Sequence, residues 1–369
     1  MKEEWNGLLK NSLNDIVCLT HEWFVSWWKN FSDSNELHIV TFSDNFRNLT
    51  AIAPMMVSDC SCRGIKLRKI FFMANGHSPS ADFIVNKHRL KEGIGAIIRY
   101  LESYEDWEFI ELQKLDSGGR TFPLVMDYII RSNNLFGLKQ NIETPYILID
   151  SDWGSFLNNR SPKFRKVLRN KLNRAEREGD ISVEKIAGLE CDGNVLNDMM
   201  NISGKSWKRD IGVDLKNDSK SRAFYEELCG KSNSGTQVNI WFLKKGGERI
   251  AFEFHLVYNN VVYPVRADYN RDFKDLSPGS VLEFNILRQL FSERSLKEYN
   301  TCGHTYNYLL NWTDNTREYM NIEIFSKRFR PYSLYLLEHR VLPVMRRLGL
   351  DKIKKLYAKK TLHENKKDH

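Results

Sequence analysis

Between Ile240 and Tyr269 three apolar runs follow one another with almost no chain between them, and the last leads through a short loop into Leu276-Ser277-Pro278-Gly279-Ser280-Val281-Leu282 and an amphipathic segment. Ile240–Leu243 reads as a strand, Lys244–Glu248 as a Gly-Gly turn and Arg249–Tyr258 as a second strand. Val261–Tyr269 reads as a third, reached through Asn259-Asn260, a pair suited to a two-residue hairpin. This is an antiparallel meander that ends at a loop and a helix.

The start of that helix carries chemistry of its own. Ser277 is expected to act as N-cap, Pro278 fits the first helical position, and Gly279 lets another group approach the backbone closely. With Ser280 and Val281 completing the turn, unpaired N–H groups and the positive end of the helix dipole suit the pyrophosphate of a coenzyme. The alternative is a plain turn before a helix. If Asn259-Asn260 is a two-residue hairpin, Tyr258 faces Val261. Glu253 is then expected opposite Arg266, His255 opposite Pro264 and Ala251 opposite Asp268. Along Ala251–Leu256 the even positions are apolar and the odd ones are not, so four ionisable groups would share one face leading into the turn. A solvated face with an ordinary Glu253/Arg266 cross-strand pair is the alternative.

Several separated segments carry a family resemblance. They are the Trp-rich Leu19-Thr20-His21-Glu22-Trp23-Phe24-Val25-Ser26-Trp27-Trp28, Ala51-Ile52-Ala53-Pro54-Met55, and the run from Ser161-Pro162-Lys163-Phe164 to Leu172. Trp207-Lys208, Ile250-Ala251, Ser277-Pro278-Gly279, and Gly303 followed by Tyr308 and Trp312 continue the pattern. In order and spacing the chain resembles the CelD-like branch of the GNAT acetyltransferases, related in architecture to the Fem-type aminoacyltransferases. The resemblance implies an α/β (α+β) class with tandem GNAT-like domains, each a mixed, mostly antiparallel sheet flanked by helices, with coenzyme bound by the second. The chain departs from the family's pattern at Tyr308-Leu309, where relatives tend to show Tyr-Lys, and at Gly303-His304, a loose version of a Gly-x-Gly.

The reaction so implied is acyl transfer from acyl-CoA, acetyl-CoA first of all, to an amine or hydroxyl of a sugar or surface-polysaccharide precursor. A thioester is already activated, and its thiolate has an ordinary pKa of about 8.5, so the protein need only align the acceptor, take its proton and stabilise the oxyanion. Glu253 or His255 is the expected base, Asp268 and Arg266 orient it, and Tyr308 is the expected acid. Arg266 also joins Ser277, Pro278, Gly279, Ser280 and Val281 as an expected coenzyme contact, and Trp207 lies on the acceptor side. A structural His255 paired with Glu253 fits the same residues. Two other classes compete: a Fem-like transferase using aminoacyl-tRNA, although no long charged helical insert is visible, and a binding protein that has kept the fold.

Composition narrows the setting. The 369 residues, 41% hydrophobic and 12% aromatic, can build two sizeable cores. Met1-Lys2-Glu3-Glu4 does not read as a signal peptide and no apolar run approaches a membrane span, so a cytoplasmic protein is expected. Six cysteines include one close pair, Cys60 and Cys62, and no zinc-type spacing; reduced, mostly buried thiols and no metal are expected. The net charge of +8 is local: 327–369 hold 13 Lys and Arg against 4 Asp and Glu, and 160–178 hold 8 against 2. A spread-out nucleic-acid footprint is therefore not expected.

In the second basic stretch, Ser161 caps, Pro162 takes the first helical position, and Phe164, Leu168, Leu172 and Ala175 form one stripe of an amphipathic helix. Its other faces carry Arg165, Lys166 and Arg169, candidates for an anionic substrate or the 3′-phosphate of coenzyme A, with a solvated face as the alternative. Residues 19–31 read as a helix whose crowded Trp and Phe side chains pack a core. Leu37–Phe42, Leu49–Val57, Ile65–Met73 and Trp107–Leu112 read as strands of a first half, 1–150, that lacks a coenzyme turn and shapes the acceptor cleft. Residues 151–330 form the coenzyme-binding half. Residues 331–369 form a basic tail of two short helices broken at Pro343, suited to peripheral contact with an anionic membrane.

Overall fold

The computed structural model describes residues 1–104, 107–230 and 235–348. Twelve strands among these form one sheet: β1 (Glu36–Ser43), β2 (Leu49–Cys62), β3 (Ile65–Phe72), β4 (Ile84–Val85), β5 (Phe109–Asp116), β6 (Leu135–Leu148), β7 (Ile181–Ala187), β8 (Gln237–Lys245), β9 (Glu248–Tyr258), β10 (Val261–Tyr269), β11 (Glu298–Asn300) and β12 (Thr316–Phe325). Their order across the sheet is β1-β2-β3-β5-β12-β6-β11-β10-β9-β8-β7, with β4 added beside β2. Only β3/β5 and β10/β11 pair in parallel; every other pair is antiparallel.

The sheet therefore contains the same arrangement twice. An antiparallel hairpin (β2-β3 or β9-β10) is followed by a parallel neighbour (β5 or β11) and then by an antiparallel closing strand. The closing strands are exchanged. β12, from late in the sequence, pairs with β5, while β6, from before residue 150, pairs with β11 and also with β12 through ten positions. β12 is not among the strands expected from the sequence. Both faces of its later half are packed, with Ile322 and Ile324 in one core and Phe325 in another, so burial runs unbroken over Ile322–Phe325 and shows no period of two.

Helices cover both faces: α1 (Lys2–Lys10), α2 (His21–Phe31), α3 (Leu90–Ser103), α4 (Thr121–Arg131), α5 (Trp153–Asn158), α6 (Pro162–Arg177), α7 (Gly193–Gly204), α8 (Ser219–Gly230), α9 (Pro278–Leu290), α10 (Asn307–Leu310), α11 (Phe329–Leu336) and α12 (Leu342–Arg347). The aromatic face of α2 is buried as its spacing predicts, but against the second half. Trp23 meets Phe224 of α8 edge-on at 5.2 Å, and Trp23 and Trp27 share a core with Ile240, Phe252 and Phe254. The opposite face of β8–β10 is covered by α6 and α9, where Leu168 and Ala175 join Ala251, Leu282 and Ile286.

The α6 start follows its sequence, with Ser161 Oγ accepting the Phe164 N–H at 3.2 Å and Pro162 in the first turn. At the other end, the expected break at Pro343 is absent. A π-helical turn over Leu337–Val341 widens the helix just before Pro343, so the ring fits without interrupting the chain between α11 and α12. The part of the second expected tail helix beyond residue 348 lies outside the described residues. All six cysteines are free, but only Cys18 and Cys229 are fully buried.

Candidate active site

β10 and β11 pair only at Val261/Glu298 and Val262/Tyr299 and then part. From Pro264 to Tyr269 the β10 edge on that side has no strand neighbour among the described residues. The space so opened is a cleft of about 560 Å³ lined by both strands, the start of α9, Trp207 and Tyr308. Asn259 and Asn260 make the hairpin before it with φ of 47° and 64°, the left-handed pair that a tight two-residue turn requires.

One register expectation fails beyond Pro264. Tyr258/Val261 and His255/Pro264 pair as expected, but a β-bulge at Val265 then sets Phe254 opposite Arg266, Glu253 opposite Ala267 and Phe252 opposite Asp268. A one-residue slip reverses the face of every later side chain. Glu253 and His255 consequently lie on the α6/α9 face, and Arg266 and Asp268 leave them for the α7/α8 face. There Asp268 Oδ2 accepts from Ser203 Oγ at 2.9 Å and Arg266 Nε at 2.8 Å, and its Oδ1 lies 3.0 Å from Lys208 Nζ. Arg266 also donates to the Val213 carbonyl at 2.9 Å. Asp268 still borders the cleft mouth, but Arg266 does not line it, so the expected coenzyme contact and the orientation of Glu253 by these two residues are not what the geometry provides.

At the turn, Ser277 does not cap α9. Its backbone is left-handed (φ 52°, ψ 51°), and no side-chain cap bond forms. Val281 N–H bonds to the Ser277 carbonyl, which leaves the earlier helical positions, Gly279 and Ser280, facing the cleft. Lys171 of α6 donates to Ser280 Oγ at 2.8 Å, and both Lys171 and Lys274 line the cleft beside the turn. Two ammonium groups and an uncapped helix start form an anion-receptive end. A Cβ on Gly279 would meet only Tyr269 Cδ1, at 3.8 Å, so the glycine keeps the cleft open and is not demanded by its backbone angles.

The floor of the cleft is acidic and aromatic. Glu253 Oε2 lies 2.8 Å from His255 Nε2 and accepts the Tyr299 hydroxyl at 3.1 Å. Glu283, one turn beyond Gly279 on α9, accepts the indole N–H of Trp312 at 2.8 Å on its Oε2. Burial, and then the charge of Glu253, push the Glu283 carboxyl up to about 8, against the pull of the Trp312 N–H and Lys171. Burial foremost also raises the hydroxyl of Tyr299, keeping it protonated at neutral pH.

Of the remaining candidates, Trp207 and Tyr308 lie on the cleft, whereas His255, Val281, Arg165, Lys166 and Arg169 do not, Val281 being packed into the core beneath α9. Ser161 and Pro162 start α6 so that its apolar stripe faces α9, which turns Lys166 and Arg169 to solvent and leaves Arg165 donating to Asn158 at 3.3 Å. Lys171, Glu283, Tyr299 and Lys208 escaped the sequence reading as site residues. Glu283 had a usable signal, since it falls four residues after Gly279 on the same helix face. A larger, charged depression of about 820 Å³, lined by Lys205, Arg209, Lys216 and Arg249 among others, contains none of the catalytic candidates. Among the described residues no cluster of His, Cys, Asp and Glu could hold a metal ion, and no helix is long and apolar enough to cross a membrane.

A doubled mixed sheet with a splayed parallel pair and an uncapped helix start defines a tandem GNAT fold. Residues 162–310, from α6 through the cleft to α10, match the family described as the acetyltransferase (GNAT) domain. FemX superposes with a TM-score of 0.59 at 12% identity, over 92% of this chain and 98% of that one. L-PGS from Bacillus licheniformis gives 0.54 at 13%, over 91% and 96%. A tandem GNAT protein from the clavulanic acid biosynthesis pathway gives 0.50 at 11%, over 88% and 95%. At these identities the likeness is one of fold. No curated protein sequence matches the chain.

Proposed function

We propose that the protein is a CelD-like acyltransferase that moves an acetyl or other acyl group from acyl-CoA to an amine or hydroxyl of a sugar or surface-polysaccharide precursor. The observation that carries this reading is the parting of β10 from β11 directly in front of the uncapped start of α9. The pyrophosphate would lie against Gly279, Ser280, Lys171 and Lys274, and the pantetheine arm along the unpaired β10 edge. Glu253 is the base, with its Oε2 held by Tyr299 and His255. Tyr308 and Trp207, which both line the cleft, would contact the acyl group and the acceptor.

The same reading treats residues 1–150 as the half that shapes the acceptor side and 151–330 as the donor-binding half, working in the cytoplasm. The basic chain from Lys327 onward, with Phe329, Val344 and Leu348 exposed, would rest on an anionic membrane surface where lipid-linked precursors lie. The likeness to FemX over nearly the whole chain favours one second reading, in which the acyl donor is an aminoacyl-tRNA.

Calorimetric titration with acetyl-CoA and longer acyl-CoAs, against wild type and Gly279→Trp, tests the donor. Saturable binding, weakened at least about 100-fold by an indole placed in the cleft, supports the acyl-CoA reading. A folded protein that binds no acyl-CoA overturns it, and a tRNA mobility shift run alongside then decides the second reading.

A further inference from the structure

Two carboxyls, Glu253 from the sheet and Glu283 from the helix, line one cleft beneath the anion-receptive turn. Each has one oxygen held by the protein: Oε2 of Glu253 by Tyr299 and His255, and Oε2 of Glu283 by Trp312. None of these bonds uses either Oε1. Both residues are more than nine-tenths buried. The other ionisable groups facing them are Lys171 from α6, His255 from β9, Tyr299 from β11 and Tyr308 from α10.

We propose that Glu253 and Glu283 work as a base–acid pair, Glu253 taking the proton of the attacking acceptor and Glu283 giving one to the departing thiolate. The assignment rests on the acyltransferase reading above and gives Glu283, in place of Tyr308, the role of second proton carrier. Adjacent carboxyls whose surroundings separate their proton affinities divide into acid and base in this way. Burial beside a second acidic group holds the proton on Glu283 at neutral pH. Because Oε2 faces an N–H donor, that proton sits on Oε1.

As the acceptor nitrogen or oxygen attacks the thioester carbonyl, the new bond to carbon forms and the acceptor's proton passes to Glu253. Collapse of the tetrahedral intermediate breaks the carbon–sulfur bond, sulfur leaves with the electron pair, and the Glu283 proton converts it to the free thiol. The cycle ends with Glu253 protonated and Glu283 ionised, and return of that one proton from the first carboxyl to the second restores the starting state. Tyr308, 56% exposed, is left to hydrogen-bond the acyl group at the mouth.

Infrared difference spectroscopy of the full chain, with CoA as the probe, decides the assignment. Wild type should show a protonated-carboxyl C=O band at neutral pH that is missing in Glu283→Gln, disappears with a midpoint of about 8, and moves when CoA is added. Trp312→Phe removes a donor that favours the ionised form, so it should carry the midpoint upward, a change that loss of packing alone does not produce. Thiol release from acetyl-CoA should fall by about 10²-fold in Glu283→Gln and recover with an aryl thioester, whose thiolate leaves without a proton. The pair is overturned if Glu283→Gln loses no carboxyl band, or if the band ignores CoA in a protein that calorimetry shows to bind it. A protein that shows the band but binds no CoA overturns the acyltransferase reading instead, and the transfer step with it.

Discussion

In the first half β3 and β5 run side by side from Lys69/Phe109 to Phe71/Glu111 and then part, as β10 and β11 do in the second, but there the chain fills the gap with its own loop. Gln113 Nε2 donates to the carbonyls of Phe72 and Ala74 at 3.3 and 2.8 Å, and Lys114 Nζ donates to those of Asn75 and Ser78 at 2.8 and 2.6 Å. The loop then reaches across to the second half. His77 stacks on Phe31 at 5.1 Å and hydrogen-bonds Tyr225 and Ser221 of α8 at 3.0 and 2.9 Å. Burial, followed by the charge of Arg266, pulls its imidazole down to about 4, so it bridges the halves as a neutral ring.

The two halves differ in the connection that leaves the hairpin. The stretch from Phe72 to Leu90 is longer than that from Tyr269 to Pro278, and its extra residues satisfy their polar groups inside the splay. The short connection of the second half lays α9 directly at the opening, uncapped. One backbone device thus gives a structural joint in one half and a ligand-sized cleft in the other.

Each half also holds a buried acid that burial pushes to about neutral pH or above, Asp82 and Glu283, and the largest expected effect separates them. Asp82, behind the filled splay, accepts the Phe83 N–H at 2.7 Å and a bond from Asn14, and burial pushes it up to about 7. A carboxyl whose folded pKa lies above its unfolded value binds its proton more tightly in the native state. Its contribution is therefore full below the unfolded value near 3.8 and is lost as pH rises to the folded one. Asp82→Asn should gain stability relative to wild type between about pH 4 and about pH 7, by up to about 4 kcal/mol in denaturant titrations. Glu283 acts with the same sign in both proteins and cancels from the comparison. A flat difference across that window would mean that burial does not hold the Asp82 proton into that range.

Lys114 tests the filling itself. Lys114→Met keeps the length and removes the donors of two bonds to loop carbonyls, which should cost roughly 2–4 kcal/mol by chemical denaturation. CoA affinity should stay as in wild type, because the second cleft shares no residue with this loop. A variant as stable as wild type, or one that gains a second CoA site, would break the distinction between a filled and an open splay.

Much of this contrast was legible along the chain, and the part that was not has a local cause. The hairpin at Asn259-Asn260, strands β1, β2, β3 and β5 of the first half, the aromatic face of α2 and the position of the Ser277–Ser280 turn follow from periodicity and turn chemistry. The bulge at Val265 does not, because Pro264 and Val265 alternate as acceptably in an unbroken strand as in a bulged one. That single residue moved Arg266 and Asp268 off the Glu253 face. The acidic partner that Glu253 does have comes from α9, and no two-strand register argument reaches a helix packed above the sheet. Exchange of β6 and β12 between the halves is equally invisible to local patterns, since each strand reads the same whichever neighbour it has.

The smallest expected effect concerns α6, where the basic residues that stand out in the sequence differ from the one the fold uses. Arg165, Lys166 and Arg169 belong to the densest cluster, yet the apolar stripe of α6 fixes them away from the cleft, whereas Lys171 is turned toward Ser280. Lys171→Met should weaken CoA binding about tenfold, as expected for one charge-assisted contact to phosphate in a half-buried setting. The triple change of Arg165, Lys166 and Arg169 to Ala should weaken it less than about threefold at physiological salt, where exposed charges beyond about 8 Å are screened. Calorimetry at low and physiological ionic strength separates the two: the loss in the triple variant should fade with added salt, and that of Lys171→Met should largely persist. The reverse ranking would place the anion on the outer face of α6, and the open splay would then no longer be where the donor's phosphates bind.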